Sequence, residues 1–183
     1  MSGGDNTIVR RLDELMPEYG WRIVHSAQVN ASGAAAYQAL VNTPVDHFGI
    51  QSLTTARGLK SQGSIKQFFL ENGFTLLEEK PPEHLIIGMV SRPWRLDGGI
   101  VPCAGLKEWQ IARSSDRAKI LAAFGAVRTG ETSALLYTET RVQIEAVSSR
   151  RKFALYWWVV RPFSSYLRRA VLRRAKALAE LLV

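Results

Sequence analysis

The closing segment, residues 150–183, limits the possible folds more than any other part of the chain. Phe153, Tyr156, Trp157, Val160, Phe163, Leu167, Val171, Leu178 and Leu182 recur at the spacing of one face of an α-helix. Arg168, Arg169, Arg173, Arg174 and Lys176 fall mostly on the opposite side. A long helix with such a stripe needs a surface to bury it, so the rest of the chain is expected to wrap around it. Ser148 and Ser149 are suited to cap its start, and Pro162 predicts a kink or break within it.

Strands supply that surface. Residues 117–128 and 132–147 alternate and flank Thr129-Gly130-Glu131, a hairpin turn whose glycine is expected at positive φ. Ala134, Leu136, Thr138, Thr140, Val142 and Ile144 share one face, and Glu139, Arg141, Gln143 and Glu145 the other. This predicts a sheet with one covered and one wet face. A second hairpin joins 74–80 to 84–92 around Pro81-Pro82-Glu83, and 21–30 alternates as a first strand. Short helices are predicted over 7–17, over 32–41 behind Ser32, over 46–57, and over 64–71 with Ile65, Phe68 and Phe69 inward. The stretch 94–113 turns at Gly98-Gly99, and 106–111 reads equally as helix or strand. The class is α+β, one domain over 1–183 with an amphipathic extension at 1–20.

Charge and composition narrow the function. The net charge is +8, yet residues 1–149 hold 15 Lys/Arg against 15 Asp/Glu, while 150–183 hold nine against Glu180 alone. The excess sits on the terminal helix, and no RNA-binding or zinc-finger pattern accompanies it, so nucleic acid ranks last among partners. The longest apolar run, 153–160, is far short of the ~20 residues that span a bilayer. The N-terminus lacks the order of a signal peptide, which makes the cytoplasm the expected location. Cys103 is the sole cysteine, so no intrachain disulfide forms, and His25, His47 and His84 show no metal-ligand spacing. Without a phosphate-cradling glycine loop, no cofactor is expected.

The segments GFTLLEEKPPEHLIIGMVSRPWR (73–95), YTETRV (137–142) and YWWVVRPFSSYLRRAVLRRAKALAE (156–180) resemble the START-like (SRPBCC, helix-grip) superfamily, in its bacterial branch of polyketide cyclase and dehydrase-like proteins. The resemblance runs over about 9–180 and rests on packing motifs rather than catalytic ones. It implies a curved antiparallel sheet closed around the last helix, with an apolar tunnel for a lipid, a polyketide or another hydrophobic ligand. Members of the superfamily include carriers, sensors, cyclases and hydrolytic enzymes, so the fold alone does not assign a function.

Met89, Trp94, Trp109, Ile120, Phe124, Thr138, Thr140 and Trp157 are the candidates for lining such a tunnel, with Tyr156 beside them. The aromatics among them serve equally as core filling. Thr138 and Thr140 offer hydroxyls to orient a ligand, although β-branched residues suit a strand in any case. Glu139 and Arg141 point the other way and are expected to pair with charges on neighbouring strands. The three histidines are the available bases near neutral pH, but none stands in a triad arrangement. Cys103 has no basic neighbour before Lys107 to activate it. The leading expectation is binding of a small hydrophobic ligand between sheet and helix. A cyclase or dehydratase on the same fold is the enzymatic alternative and needs an ionisable side chain in the cavity. The basic helix is either a solvated face or a docking surface for anionic membrane through Arg168, Arg169, Arg173 and Arg174.

Overall fold

A computed structural model describes residues 7–45 and 62–181. Its elements run α1 (Thr7–Leu15), β1 (Trp21–Val29), α2 (Gly33–Val41), α3 (Ile65–Glu71), β2 (Thr75–Lys80), β3 (His84–Ser91), α4 (Leu106–Ile111), β4 (Ala118–Arg128), β5 (Ala134–Gln143) and α5 (Val147–Glu180). The helix expected over 46–57 lies outside the described residues. The five strands form one antiparallel sheet in the order β1-β5-β4-β3-β2. Both expected hairpins are present, and β1 joins the far edge by pairing with β5 from Trp21↔Val142 to Val29↔Ala134. The long terminal helix packs mainly on β1 and α2. This curved sheet gripping a terminal helix is the helix-grip arrangement.

Alternation along the strands divides the core in two. Leu85, Ile87, Ala122, Phe124 and Leu136 face α5 with Val171, Leu172 and Ala175 of that helix. Their sequence neighbours Ile86, Val90, Leu121, Ala123 and Tyr137 face the other way, where Ile8, Leu12 and Met16 cover them together with Trp109 of α4. We call these the inner and outer faces. The outer helices lie close to the sheet because glycines let them. A Cβ on Gly88 would come within 2.5 Å of Trp109 Nε1 and 2.6 Å of Leu77 Cδ1, and one on Gly125 would strike Ile8 Cδ1.

Several expectations need correction. The face of β5 predicted to be wet is covered: Glu139 and Arg141 are each 1% exposed. Their burial is tolerated because every charge has a partner. Glu139 takes Arg22 Nε at 2.8 Å and Arg141 Nε at 2.6 Å and also accepts from the Tyr137 hydroxyl. Arg141 Nη1 reaches Asp13 at 2.7 Å and the Met16 carbonyl at 3.0 Å. The expected cross-strand pairing is thus present as Arg22–Glu139. Burial alone would raise the Glu139 pKa, but hydrogen bonds from Arg22, Tyr137 and Arg141 hold it below the usual carboxylate range.

At the hairpin between β4 and β5, Gly130 is not at positive φ. The loop runs over five residues and closes with Thr129 and Gly130 N–H groups donating to the Ser133 carbonyl, so it needs no left-handed residue. The terminal helix starts at Val147 behind Ala146, with no side-chain cap, and Ser149 is buried in its first turn. It also runs through Pro162 without a break. Proline inside a helix costs ~3 kcal/mol, which the packing of the apolar stripe on both sides of it offsets. Residues 106–111, open between helix and strand, form α4.

Candidate functional site

The inner face of β4 carries Ala118, Ala122 and Ala126 between larger residues, and Ala122 sits directly beside Thr140 of β5. Ile120 and Phe124 of the same face, with Thr140 and Val142 of β5, lie under a helix that packs mainly on β1 and α2. The result is a cavity of about 470 Å³, within the usual range of roughly 300–1,000 Å³ for small-molecule sites. Ile65, Phe68 and Phe69 of α3 close one side, with Phe74. Ile120, Phe124, Thr140 and Val142 form the floor. Phe153, Tyr156, Trp157, Val160, Phe163, Leu167, Arg168 and Val171 of α5 form the roof.

Aromatic clusters stiffen two of the walls. Phe69 contacts Phe74 and Phe124 with ring centroids 4.9 and 5.2 Å apart. Phe153 packs against Trp21, Trp157 and Trp94 at 4.6, 5.5 and 6.2 Å. A second depression of about 530 Å³ adjoins the cavity, sharing Phe68, Phe69, Phe74, Ile120 and Tyr156 with it and adding Met89, Ser91 and Ile100.

The polar feature of this apolar space is Arg168, which is only 7% exposed. Its Nη1 donates to the Thr138 hydroxyl at 2.7 Å, and its Nη2 donates to the Thr140 hydroxyl. The guanidinium lies over the Phe124 ring, 5.6 Å from the centroid. Its Nε is buried and has no hydrogen-bond partner. Among the described residues no carboxylate pairs with it. Burial without a counter-charge pulls its pKa down to about 10, so it stays cationic at neutral pH. Holding such a cation out of water costs several kcal/mol, of which two neutral hydroxyls return only part.

Ile120, Phe124, Thr140 and Trp157, expected to line the cavity, all do so, and Met89 lines the adjoining depression. Trp94 stands behind Phe153 rather than in the wall. Thr138 does not line the space; it holds Arg168. Trp109 is misplaced by the sequence reading. It is fully buried on the outer face, under Lys119 Nζ at 4.6 Å, because α4 docks on the side of the sheet away from α5. Arg168 also leaves the expected docking set, since it turns inward; Arg169, Arg173 and Arg174 remain exposed.

Arg168, Phe68, Phe69, Phe74 and Phe153 are not among the tunnel candidates read from sequence. For Arg168 a signal exists. Phe153, Trp157, Val160, Ser164, Arg168, Val171 and Ala175 follow one another at steps of three and four, so the arginine occupies a core-facing position in an apolar run.

The histidines stand elsewhere. His25, on the inner side of β1 opposite Thr138, has a buried Nε2 without a partner. Burial, with the positive charges of Arg169 and Arg168, lowers its pKa and keeps it neutral at pH 7. His84 lies on the outer side, its Nε2 2.8 Å from Glu78 Oε1, and Arg11 Nε holds that carboxylate at 2.8 Å. His47 lies outside the described residues. Burial raises the Cys103 thiol pKa, against an activated thiolate. Among the described residues no cluster of three metal-ligating side chains occurs, and no helix is long and apolar enough to cross a membrane.

No protein-family model matches the sequence, and no curated protein matches it. Solved structures do align over most of the chain, at low identity. A norcoclaurine synthase point mutant from Thalictrum flavum, in complex with a transition-state analogue, is 10% identical with a TM-score of 0.41, covering 87% of this chain and 93% of its own. A hypothetical protein from Helicobacter pylori is 10% identical with a TM-score of 0.44, covering 91% and 93%. An aromatase/cyclase from a Streptomyces species is 11% identical with a TM-score of 0.31, covering 85% and 93%. At these values no functional residue is carried over from them. On its own strand order and its terminal helix, the chain has a helix-grip fold.

Proposed function

We propose that this chain binds a small hydrophobic ligand in the cavity between β4, β5 and α5, as a carrier or sensor. The observation that carries the reading is a space of about 470 Å³ walled by aromatic and aliphatic side chains. Affinity comes mainly from apolar area removed from water, at ~25 cal/mol per Å². Native mass spectrometry of the purified protein, followed by organic extraction, tests it. A retained apolar molecule, or saturable binding of an added one that is lost in Ile120→Trp, supports the reading. Failure of every apolar probe to bind would overturn it. The cyclase or dehydratase alternative rests on fewer groups, because among the described residues the ionisable side chains lining the cavity are Arg168 and Tyr156.

A second reading has its own observation. Along the solvent side of α5, Leu155 (75% exposed), Trp158 (81%), Val159 and Tyr166 form an apolar strip. Arg151 and Lys152 precede it, and Arg169, Arg173 and Arg174 follow it. Aromatic and aliphatic residues bracketed by arginine match the charge and depth profile of an anionic membrane surface. Val159 also belongs to the cavity lining, so the strip borders the site. Sedimentation with phosphatidylserine-containing vesicles, but not with neutral ones, is expected, and Trp158→Ala with Arg169→Glu and Arg173→Glu should abolish it. A concentration-dependent dimer that masks the strip, with no vesicle binding, would overturn the reading.

A further inference from the structure

We infer that the ligand of this cavity is an amphiphile with an anionic head, a monocarboxylate, which pairs with the Arg168 guanidinium while its apolar body lies against Phe124, Trp157 and Phe163. The inference rests on the ligand-binding reading and adds the chemistry of the head group. Three features point to it. Arg168 is buried and contributes to the wall of the cavity. Thr138 and Thr140 take one donor from each terminal nitrogen and fix the plane of the guanidinium, leaving Nε without a partner. None of the described residues supplies a negative charge to it, whereas the buried arginine on the opposite face of the same strand has two carboxylates.

A carboxylate suits a guanidinium because its two oxygens match the parallel N–H donors of an arginine. The neutral His25 on the adjacent strand adds no charge of its own. Apart from Thr140, Ser164 and Tyr156 the rest of the described lining is apolar, so a head with a single charge on a hydrocarbon or aromatic body fits better than a multiply charged or sugar-bearing molecule.

The test compares two probes that differ only at the head, dodecanoate and dodecanol, by tryptophan fluorescence and calorimetry on the full chain at neutral pH. The acid should bind at least about ten-fold tighter, as expected for a charge-assisted pair in a buried site. That preference should vanish in Arg168→Met, while the alcohol's affinity changes little, and should persist in part in Arg168→Lys. Equal binding of acid and alcohol to the unaltered protein would sink the anionic-head inference and leave the cavity reading standing. Retention of the preference in Arg168→Met would sink it likewise. If neither probe nor any other apolar molecule binds, the cavity reading fails as well. The comparison on the unaltered protein decides the matter even if Arg168→Met does not fold.

Discussion

The two faces of β5 solve the burial of an arginine in opposite ways. On the outer face Arg141 is enclosed by Glu139, Asp13 and the Met16 carbonyl, and Glu139 is shared with Arg22 and Tyr137. On the inner face Arg168 comes down from α5 onto Thr138 and Thr140 and meets hydroxyls alone. Thr138 and Glu139 are adjacent in sequence, yet one side of the sheet is electrically closed and the other is left with a net positive charge. A closed network contributes to holding the fold. An open one, beside an apolar cavity, fits the ligand-binding proposal.

The largest effect expected from this difference is at Glu139. Replacing it with Ala removes the anion from a buried network and leaves Arg141, and in part Arg22, without their partner. Such breaks cost ~3–5 kcal/mol. Chemical denaturation should show a midpoint shift of that size with an unchanged slope. A loss below about 1 kcal/mol would mean that the outer network is dispensable, and the contrast between the faces would lose its meaning.

A smaller loss is expected where the outer helices meet the sheet. Gly88→Val would drive a side chain into Trp109 and Leu77, and overpacking of this kind costs ~1–3 kcal/mol. Near-UV circular dichroism should report the displaced Trp109 together with the lost stability. The inner cavity should be unaffected, so a parallel loss of apolar ligand binding would show that the two faces are not independent.

Arg168→Met should have the smallest cost of the three substitutions, within about 1 kcal/mol of the unaltered protein and of either sign, because an unpaired buried charge is exchanged for an apolar side chain of similar length. Thermal unfolding without added ligand measures it. A cost equal to that of Glu139→Ala would make Arg168 a structural residue after all.

Much of this architecture is legible in the sequence. The terminal helix, the two hairpins and the pairing of the Glu139 side of β5 with a neighbouring strand follow from periodicity and alternation, but the helix's unbroken course through Pro162 and Arg22 as the partner do not. Periodicity reports which side chains share a face, but not what covers that face. The charged side of β5 therefore reads as solvent-exposed although α1 lies over it, and Trp109 reads as cavity lining although α4 places it outside. Arg168 fails for a related reason: a charge at a core-facing step is easily assigned to the solvated side beside Arg169. The order Ser164, Arg168, Val171 within the apolar run is the feature that separates it from Arg173 and Arg174.

The smallest expected effect sharpens the picture of an uncompensated inner face. His25 stands opposite Thr138 with Nε2 buried and unpartnered, and its pKa is lowered by burial and then by Arg169 and Arg168. The unfolded chain, with a histidine pKa near ~6.5, binds a proton at higher pH than the native state does. Stability is therefore full above that value and falls as pH drops through it toward the lowered native pKa. His25→Gln should flatten this part of the stability profile without altering the steeper loss at lower pH, where Glu139 and Glu78, both held below the usual carboxylate range, are protonated. A bound carboxylate beside Arg168 should raise the His25 pKa by cancelling part of the positive field. NMR titration of the His25 ring with and without dodecanoate checks this directly. An upward shift with the acid and none with dodecanol would place the charge of the ligand next to Arg168, whereas no shift with either, under conditions where both bind, would place the head elsewhere in the cavity.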